Sequence, residues 1–188
     1  MFEVKDSSRL SFRLMDKNDA EALWLLDQDP EVMLFLNGGK PSTKKDISEI
    51  MIPRMMSYRN ESKGWGIWQV CDAGTQEYLG WVLVRPMHFF SEKPDYEDIE
   101  LGWRFFKNAW GKGYASEAAQ ALTNAIACQS EAKFVSALAV IDNLASIGVM
   151  KKIGMHFKKK YLHTDPIGDF TAVHYQLPIV LNSRLNLL

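Results

Sequence analysis

Between Ile99 and Ile126 the hydrophobic period of this chain switches from two to helical across one short loop that carries two glycines. Ile99, Leu101, Trp103 and Phe105 alternate with Asp98, Glu100, Gly102 and Arg104, the pattern of a strand with one apolar face. After Trp110-Gly111-Lys112-Gly113, the residues Ala115, Ala118, Ala119, Leu122 and Ile126 recur at helical spacing and predict a small-residue helix over Tyr114–Cys128. Glycines at 111 and 113 remove side chains where a backbone turns tightly or comes close to a ligand. The amides that open the next helix have no intrahelical partner, and with the helix dipole they form an anion site suited to a pyrophosphate. Read alone, the same pattern is more often an ordinary loop whose glycines serve turn geometry.

The remaining elements frame this switch. Leu10–Leu14 reads as a first strand, Asn18-Asp19 as the cap of a helix over Ala20–Leu26, and Pro30 as the first turn of a helix reaching about Leu36. Ile47, Ile50, Met51, Met55 and Tyr58 lie at helical spacing over Lys44–Tyr58, where Pro53 is expected to kink or split the helix. Gly64–Asp72 and Tyr78–Met87 read as a hairpin through Ala73-Gly74-Thr75, and Tyr96–Phe106 as the fourth strand. Beyond the small-residue helix come an apolar strand, Phe134–Ile141, and a helix from Asp142-Asn143 to Gly154. Two closing strands, His156–His163 and Phe170–Pro178, flank the turn Asp165-Pro166-Ile167-Gly168. This order is that of a mixed α/β (α+β) sheet rather than a doubly wound one. The breaks at Gly38–Ser42 and Ser91–Asp95 are turn-sized, so residues 1–188 are expected to form one domain.

Composition excludes several classes. A chain of 188 residues buries roughly 70% of its unfolded surface and needs no disulfide or metal staple. Its 22 Lys and Arg against 23 Asp and Glu leave a net charge of −1, which gives no global pull toward nucleic acid or an acidic membrane. Cys71 and Cys128 form no CxxC pair, and His88, His156, His163 and His174 show no ligand spacing, so no metal is expected. The N-terminus lacks the apolar core of a signal peptide, and no run approaches the ~18 to 20 apolar residues of a membrane span. A soluble cytoplasmic protein is the expectation. A Rossmann loop needs Gly or Ala where Ser116 stands, and neither GxxxxGK[ST], HExxH nor GxSxG occurs.

Ile99-Glu100-Leu101-Gly102-Trp103 followed by Trp110-Gly111-Lys112-Gly113-Tyr114-Ala115-Ser116-Glu117-Ala118 resembles the acetyl-CoA-binding core of the GNAT N-acetyltransferases. It is most similar to the branch that includes the RimJ/RimL ribosomal-protein N-terminal acetyltransferases. The family's loop reads Gln or Arg, two residues, Gly, one residue, Gly or Ala; here Gly111 and Gly113 match and Asn108 departs from the first position. Asn143-Leu144-Ala145-Ser146 and the later Gly154-Met155 resemble the family's Asn-x-x-Ser helix and its closing Gly-Phe pair. The resemblance runs from about Leu10 to Leu177. It implies the GNAT fold, a mixed, mostly antiparallel sheet of about seven strands, flanked by helices and splayed between the fourth and fifth strands.

The resemblance also implies roles. The backbone from Leu101 through Trp103 and Phe105 to Phe106 would pair with the pantetheine arm as an added strand does. Asn108, Trp110, Gly111, Lys112, Gly113, Tyr114 and Ala115 would hold the pyrophosphate, and Asn143 and Ser146 would border the arm, with Asn143 also suited to a helix N-cap. An amine acceptor is protonated near pH 7 and must lose a proton before it attacks a thioester. Glu100, on the non-apolar strand face, is the candidate base, and Asp98 its rival. Ser146 is the candidate acid for the departing thiolate, because Met150 stands where some relatives carry a tyrosine. No cysteine has a partner for covalent catalysis, so direct attack in a ternary complex is expected.

The expected activity is therefore acetyl-CoA-dependent N-acetylation of a primary amine, with a protein or peptide N-terminus as favoured acceptor. A polyamine, amino sugar or amino acid is the alternative, which the acidic residues Glu92, Asp95, Glu97 and Asp98 would suit. A non-catalytic acyl-CoA-binding module and an interaction protein that binds no cofactor are rivals of other classes. Neither nucleic acid nor membrane is expected as a partner, and the chain is expected as a monomer or homodimer.

Overall fold

A computed structural model describes residues 1–163 and 169–179. The turn expected at Asp165-Pro166-Ile167-Gly168 lies outside the described residues. The chain order is β1 (Leu10–Leu14), α1 (Ala20–Leu26), α2 (Pro30–Asn37), α3 (Lys44–Asp46), a π-helical turn (Ile47–Met51) and α4 (Ile52–Tyr58). Then come β2 (Gly66–Asp72), β3 (Tyr78–Met87), β4 (Asp95–Phe105), a 3-10 turn (Lys107–Ala109) and α5 (Tyr114–Gln129). The last elements are β5 (Phe134–Val140), α6 (Leu144–Lys152), β6 (His156–His163) and β7 (Phe170–Pro178).

The strands form one seven-stranded sheet in the order β1-β2-β3-β4-β5-β7-β6. All neighbours are antiparallel except β4 and β5, which run parallel. That exception follows from the connection: α5 crosses over between them, and a crossover returns the chain in the same direction. β5 lies between β4 and β7, which accounts for its apolar sequence, yet Phe134 at its start is exposed.

Each sheet face carries its own core. On one face Ile99, Leu101 and Phe105 pack with Ala118, Ala119, Leu122 and Ile126 of α5 and Ile147 and Met150 of α6. The small residues of α5 let the helix lie close on the strands, as the alanine pattern predicts. On the other face Ile67 and Trp81 pack with Leu23 and Leu26 of α1, Val32 of α2, and Ile47, Met55 and Tyr58 further on.

Pro53 does not split its helix. It occupies the first turn of α4, and the preceding turn widens to π geometry over Ile47–Met51. Proline lacks an N–H and its ring crowds the carbonyl four residues earlier; a π turn absorbs that misfit without breaking the rod. Among the described residues no helix is long and apolar enough to cross a membrane.

Candidate active site

The parallel pairing of β4 with β5 is short. It spans Asp98, Ile99 and Glu100 opposite Phe134, Val135 and Ser136, and then the strands part. From Leu101 to Phe105, β4 is paired only with β3, while β5 continues along β7. The edge of β4 is thereby left open along a wedge, at the place where the resemblance put a splay. The cleft there has a volume of about 620 Å³. Its walls are the β4 edge, the glycine loop, the first turns of α5 and α6, the end of β5, and α2.

Most of the candidate cofactor residues meet on this cleft: Leu101, Trp103, Phe105, Trp110, Gly111, Gly113, Tyr114, Ala115, Asn143 and Ser146 line it. Gly111 and Gly113 have φ of 72° and 81°, left-handed values that favour glycine. A Cβ built on Gly111 meets nothing within 4 Å, so its absence leaves the loop surface bare. Gly113 is the N-cap of α5 and offers no side-chain acceptor, so the first-turn amides are left for an anion. Trp110 folds back on the strand, its indole N–H donating to the Phe105 carbonyl at 2.8 Å. Asn143 caps α6, its Oδ1 accepting from the Ser146 N–H at 3.1 Å.

Three residues of that set lie off the cleft wall. Phe106 packs edge-on against Tyr78 on the opposite core. Asn108 is exposed in the 3-10 turn, and Lys112 is exposed, with its carbonyl accepting from Arg9.

Glu100 also stands off the wall, but it shares a strand face with Gly102 and Arg104, which line the cleft. It is the last β4 residue paired with β5. Both of its oxygens are held by Arg85, at 2.8 and 3.1 Å, and its side chain is 13% exposed. Arg85 lies directly opposite it on β3 and also sits over the ring of Tyr58, whose phenol burial pushes up to about 12. Asp98 is buried. Its Oδ2 accepts from Ser136 at 2.9 Å and Gln176 at 2.6 Å, a bridge across β4, β5 and β7 at the root of the wedge. Burial raises its carboxyl above the usual range despite those two donors.

Reasoning from the sequence did not find Arg85, nor the cleft wall supplied by Leu34, Phe35 and Leu36 of α2. Five consecutive apolar residues, Val32 to Leu36, on a short helix exceed what one buried face needs, and that excess was the available signal. The acidic residues expected to suit a cationic acceptor are partly spent within the fold, where Asp95, Glu97 and Asp98 belong to β4 itself: Glu97 pairs with Lys133 at 2.7 Å, and Asp98 is buried. Neither Cys71 nor Cys128 lines the cleft, and among the described residues no cluster of His, Cys, Asp and Glu could hold a metal ion. A second crevice, of about 340 Å³ beside Met1–Lys5, shares no lining residue with the cleft.

An open β4 edge leading to a glycine loop and an uncapped helix start has the form that an extended, phosphate-bearing ligand would fit. The family model described as an acetyltransferase (GNAT) domain matches residues 9–156. Protein YkkB of Bacillus subtilis (strain 168) is 34% identical over 160 residues, covering 81% of this chain and 85% of that protein. Among solved structures, RimL, the ribosomal L7/L12 alpha-N-protein acetyltransferase in complex with coenzyme A, superposes with a TM-score of 0.74 at 14% identity, over 95% of this chain and 98% of that one. The aminoglycoside acetyltransferase AAC(6')-Ib with coenzyme A gives 0.71 at 18%, over 94% and 98%. These two structural likenesses show the fold. The chain belongs to the GNAT acetyltransferase family. It is an acetyl-CoA-dependent N-acetyltransferase. The bare glycine loop, the uncapped α5 amides and the unpaired β4 edge fit that cofactor.

Proposed function

We propose that this enzyme acetylates the N-terminal amine of a protein or peptide, as the RimL-like branch does, and that the first side chain of the acceptor is apolar. The observation that carries this reading is the chemistry of the cleft on the α2 side. Val32, Leu34, Phe35, Leu36, Trp81 and Leu83 form it, and Leu34, Phe35 and Leu36 are exposed there. The one carboxylate among the described lining residues, Glu31, is paired with Lys107 at 2.5 Å. Arg104 is paired with the buried Asp27. A polyamine or amino sugar brings several cations and finds no unpaired carboxylate on this wall, whereas an apolar side chain gains about 25 cal/mol for each Å² it buries.

Bound acetyl-CoA supplies an acetyl thioester with an electrophilic carbonyl carbon and a thiol as leaving group. The main-chain groups that β4 leaves open on its β5 side between Leu101 and Arg104 hold the pantetheine arm as a neighbouring strand would, and amides on that edge polarise the carbonyl. Glu100 takes the proton of the acceptor ammonium, directly or through water; Arg85 aims the carboxylate by its two-point grip. Ser146 offers its hydroxyl at the leaving sulfur. Attack is direct, with both substrates bound together.

A panel of amines read by release of coenzyme A tests the acceptor. Peptides with a free N-terminus and an apolar first residue should outperform peptides with an acidic first residue, and both spermidine and kanamycin should be poor. Preference for a polycationic amine would overturn the reading.

A further inference from the structure

Beyond the Trp110 indole, which ties the start of the glycine loop to β4, one of the loop's carbonyls is gripped from a distant part of the chain. Arg9, in the arm that leads into β1, donates from Nη1 to the Lys112 carbonyl at 3.1 Å. Its Nε and Nη2 donate to Glu117 Oε2 at 2.8 and 2.5 Å. Its guanidinium also lies over the Tyr114 ring, 4.6 Å from the centroid. Glu117 sits in the first turn of α5, where its other oxygen accepts from the Ser7 hydroxyl at 2.7 Å and the Arg9 N–H at 3.2 Å. Burial would raise the Glu117 carboxyl, but the bonds from Ser7 and Arg9 outweigh it and hold the group below the usual range.

Two consequences follow from elementary geometry and charge. In a trans peptide the C=O and N–H point in opposite directions, so a clamp on the Lys112 carbonyl also sets the Gly113 N–H, aiming it away from Arg9. Gly113 lines the cleft and Arg9 does not. In a loop of left-handed glycines the opposite peptide orientation costs little, and it would turn a carbonyl toward the anion. Glu117, for its part, places a negative charge in the same helical turn that must hold a pyrophosphate. Unpaired, it would repel the ligand that the turn attracts.

We propose that Arg9 is a positioning residue of the cofactor site, which orients the Lys112–Gly113 peptide toward the cleft and cancels the Glu117 carboxylate beside the pyrophosphate. This rests on the reading of the glycine loop as the pyrophosphate site. Arg9 is 44% exposed at its side chain, so water and salt screen it. The expected effect is therefore about tenfold rather than the hundredfold of a buried charge-assisted bond.

The test is calorimetric titration of the full chain with coenzyme A and with S-acetylpantetheine, which lacks the pyrophosphate, alongside thermal melts. Arg9→Ala should weaken coenzyme A about tenfold, leave S-acetylpantetheine within twofold, and raise KM for acetyl-CoA with little change in kcat. The loss should shrink at high salt. Glu117→Gln, which keeps the acceptor oxygen and removes the charge, should bind coenzyme A at least as tightly as the parent. Combined with Arg9→Ala it should recover part of the loss. Should Arg9→Ala fold poorly, Arg9→Lys, which keeps the charge but not the fork, should give an intermediate loss confined to coenzyme A. Equal weakening of both ligands, equal losses from Arg9→Ala and Glu117→Gln, or coenzyme A affinity within twofold of the parent in Arg9→Ala would each overturn the proposal. If Gly113→Val weakens coenzyme A while Arg9→Ala does not, this inference alone fails; if neither does, the loop itself is misread.

Discussion

Replacing Gly113 by valine separates the folding role of the loop from its binding role, because the two costs differ in size. The free protein accommodates the first atom of the new side chain: a Cβ at 113 meets only the Arg9 Nη2 at 3.6 Å, an ordinary contact. What remains is backbone strain, since a φ of 81° is unfavourable for an L-residue by roughly 1–2 kcal/mol. For a chain of this length each kcal/mol lowers Tm by about 2–4 °C, so the melt should drop by about 2–8 °C and stay cooperative. Binding should suffer more. Each charge-assisted hydrogen bond lost to a phosphate is worth about 1.5–3 kcal/mol, or roughly 10- to 150-fold in Kd. The branched side chain also stands on the cleft wall that Gly113 leaves bare. Titration of Gly113→Val with coenzyme A should therefore show at least a tenfold loss in a folded variant. A variant that melts as expected and still binds with parental affinity would refute the assignment of the loop to the pyrophosphate.

Glu100→Gln should lower turnover at pH 7 by about 10²-fold, with the loss shrinking at high pH as the acceptor amine deprotonates in solution; Asp98→Asn should cost much less. A pH–rate profile of Glu100→Gln that overlays the parent removes Glu100 from the base role, and a large loss in Asp98→Asn alone moves the role there. Replacing both Cys71 and Cys128 by alanine should leave turnover within a few-fold, and intact mass after incubation with acetyl-CoA alone should show no added acetyl group. His174 is buried, and burial with Lys158, Lys159 and His88 nearby lowers its pKa from the ordinary 6.5 to about 4. The unfolded chain then binds a proton that the folded chain refuses, so the stability contributed above pH 6.5 is lost as pH falls toward 4, by about 3 kcal/mol at most. His174→Leu should flatten that part of the urea-melt stability curve; an unchanged slope between pH 6.5 and 4 would show that His174 does not titrate as described. Asp98, whose carboxyl is raised, contributes the opposite slope above its unfolded value, so both variants belong in one series.

Elements governed by local chemistry were legible in the sequence. β1, α1, β3, β6 and β7 run between the residues expected, and α5 starts at Tyr114 because two glycines end the preceding pattern and alanines begin the next. The alternation in β4 likewise placed Ile99, Leu101 and Phe105 in a core and Glu100 on the other face, since side-chain direction in a strand follows from residue parity alone. What the sequence did not carry are pairings that depend on register and on how layers come to rest. Glu100 meets Arg85 because the β3–β4 ladder sets Arg85 opposite it, and a one-residue slip would have turned every side chain of the strand over. Pro53 is expected from the sequence to kink or split its helix; the chain takes it up in a π turn over Ile47–Met51, with Ile47 and Met55 on either side of it in one core. Arg9 reaches Lys112 and Glu117 because β1 and α5 come together across the sheet edge. The wedge between β4 and β5, which makes the cleft, is a property of neither strand. The family motifs point to its place, but where the β4–β5 ladder stops, after Glu100 and Ser136, depends on two strands from distant parts of the chain, and a periodicity confined to one segment contains no information about that.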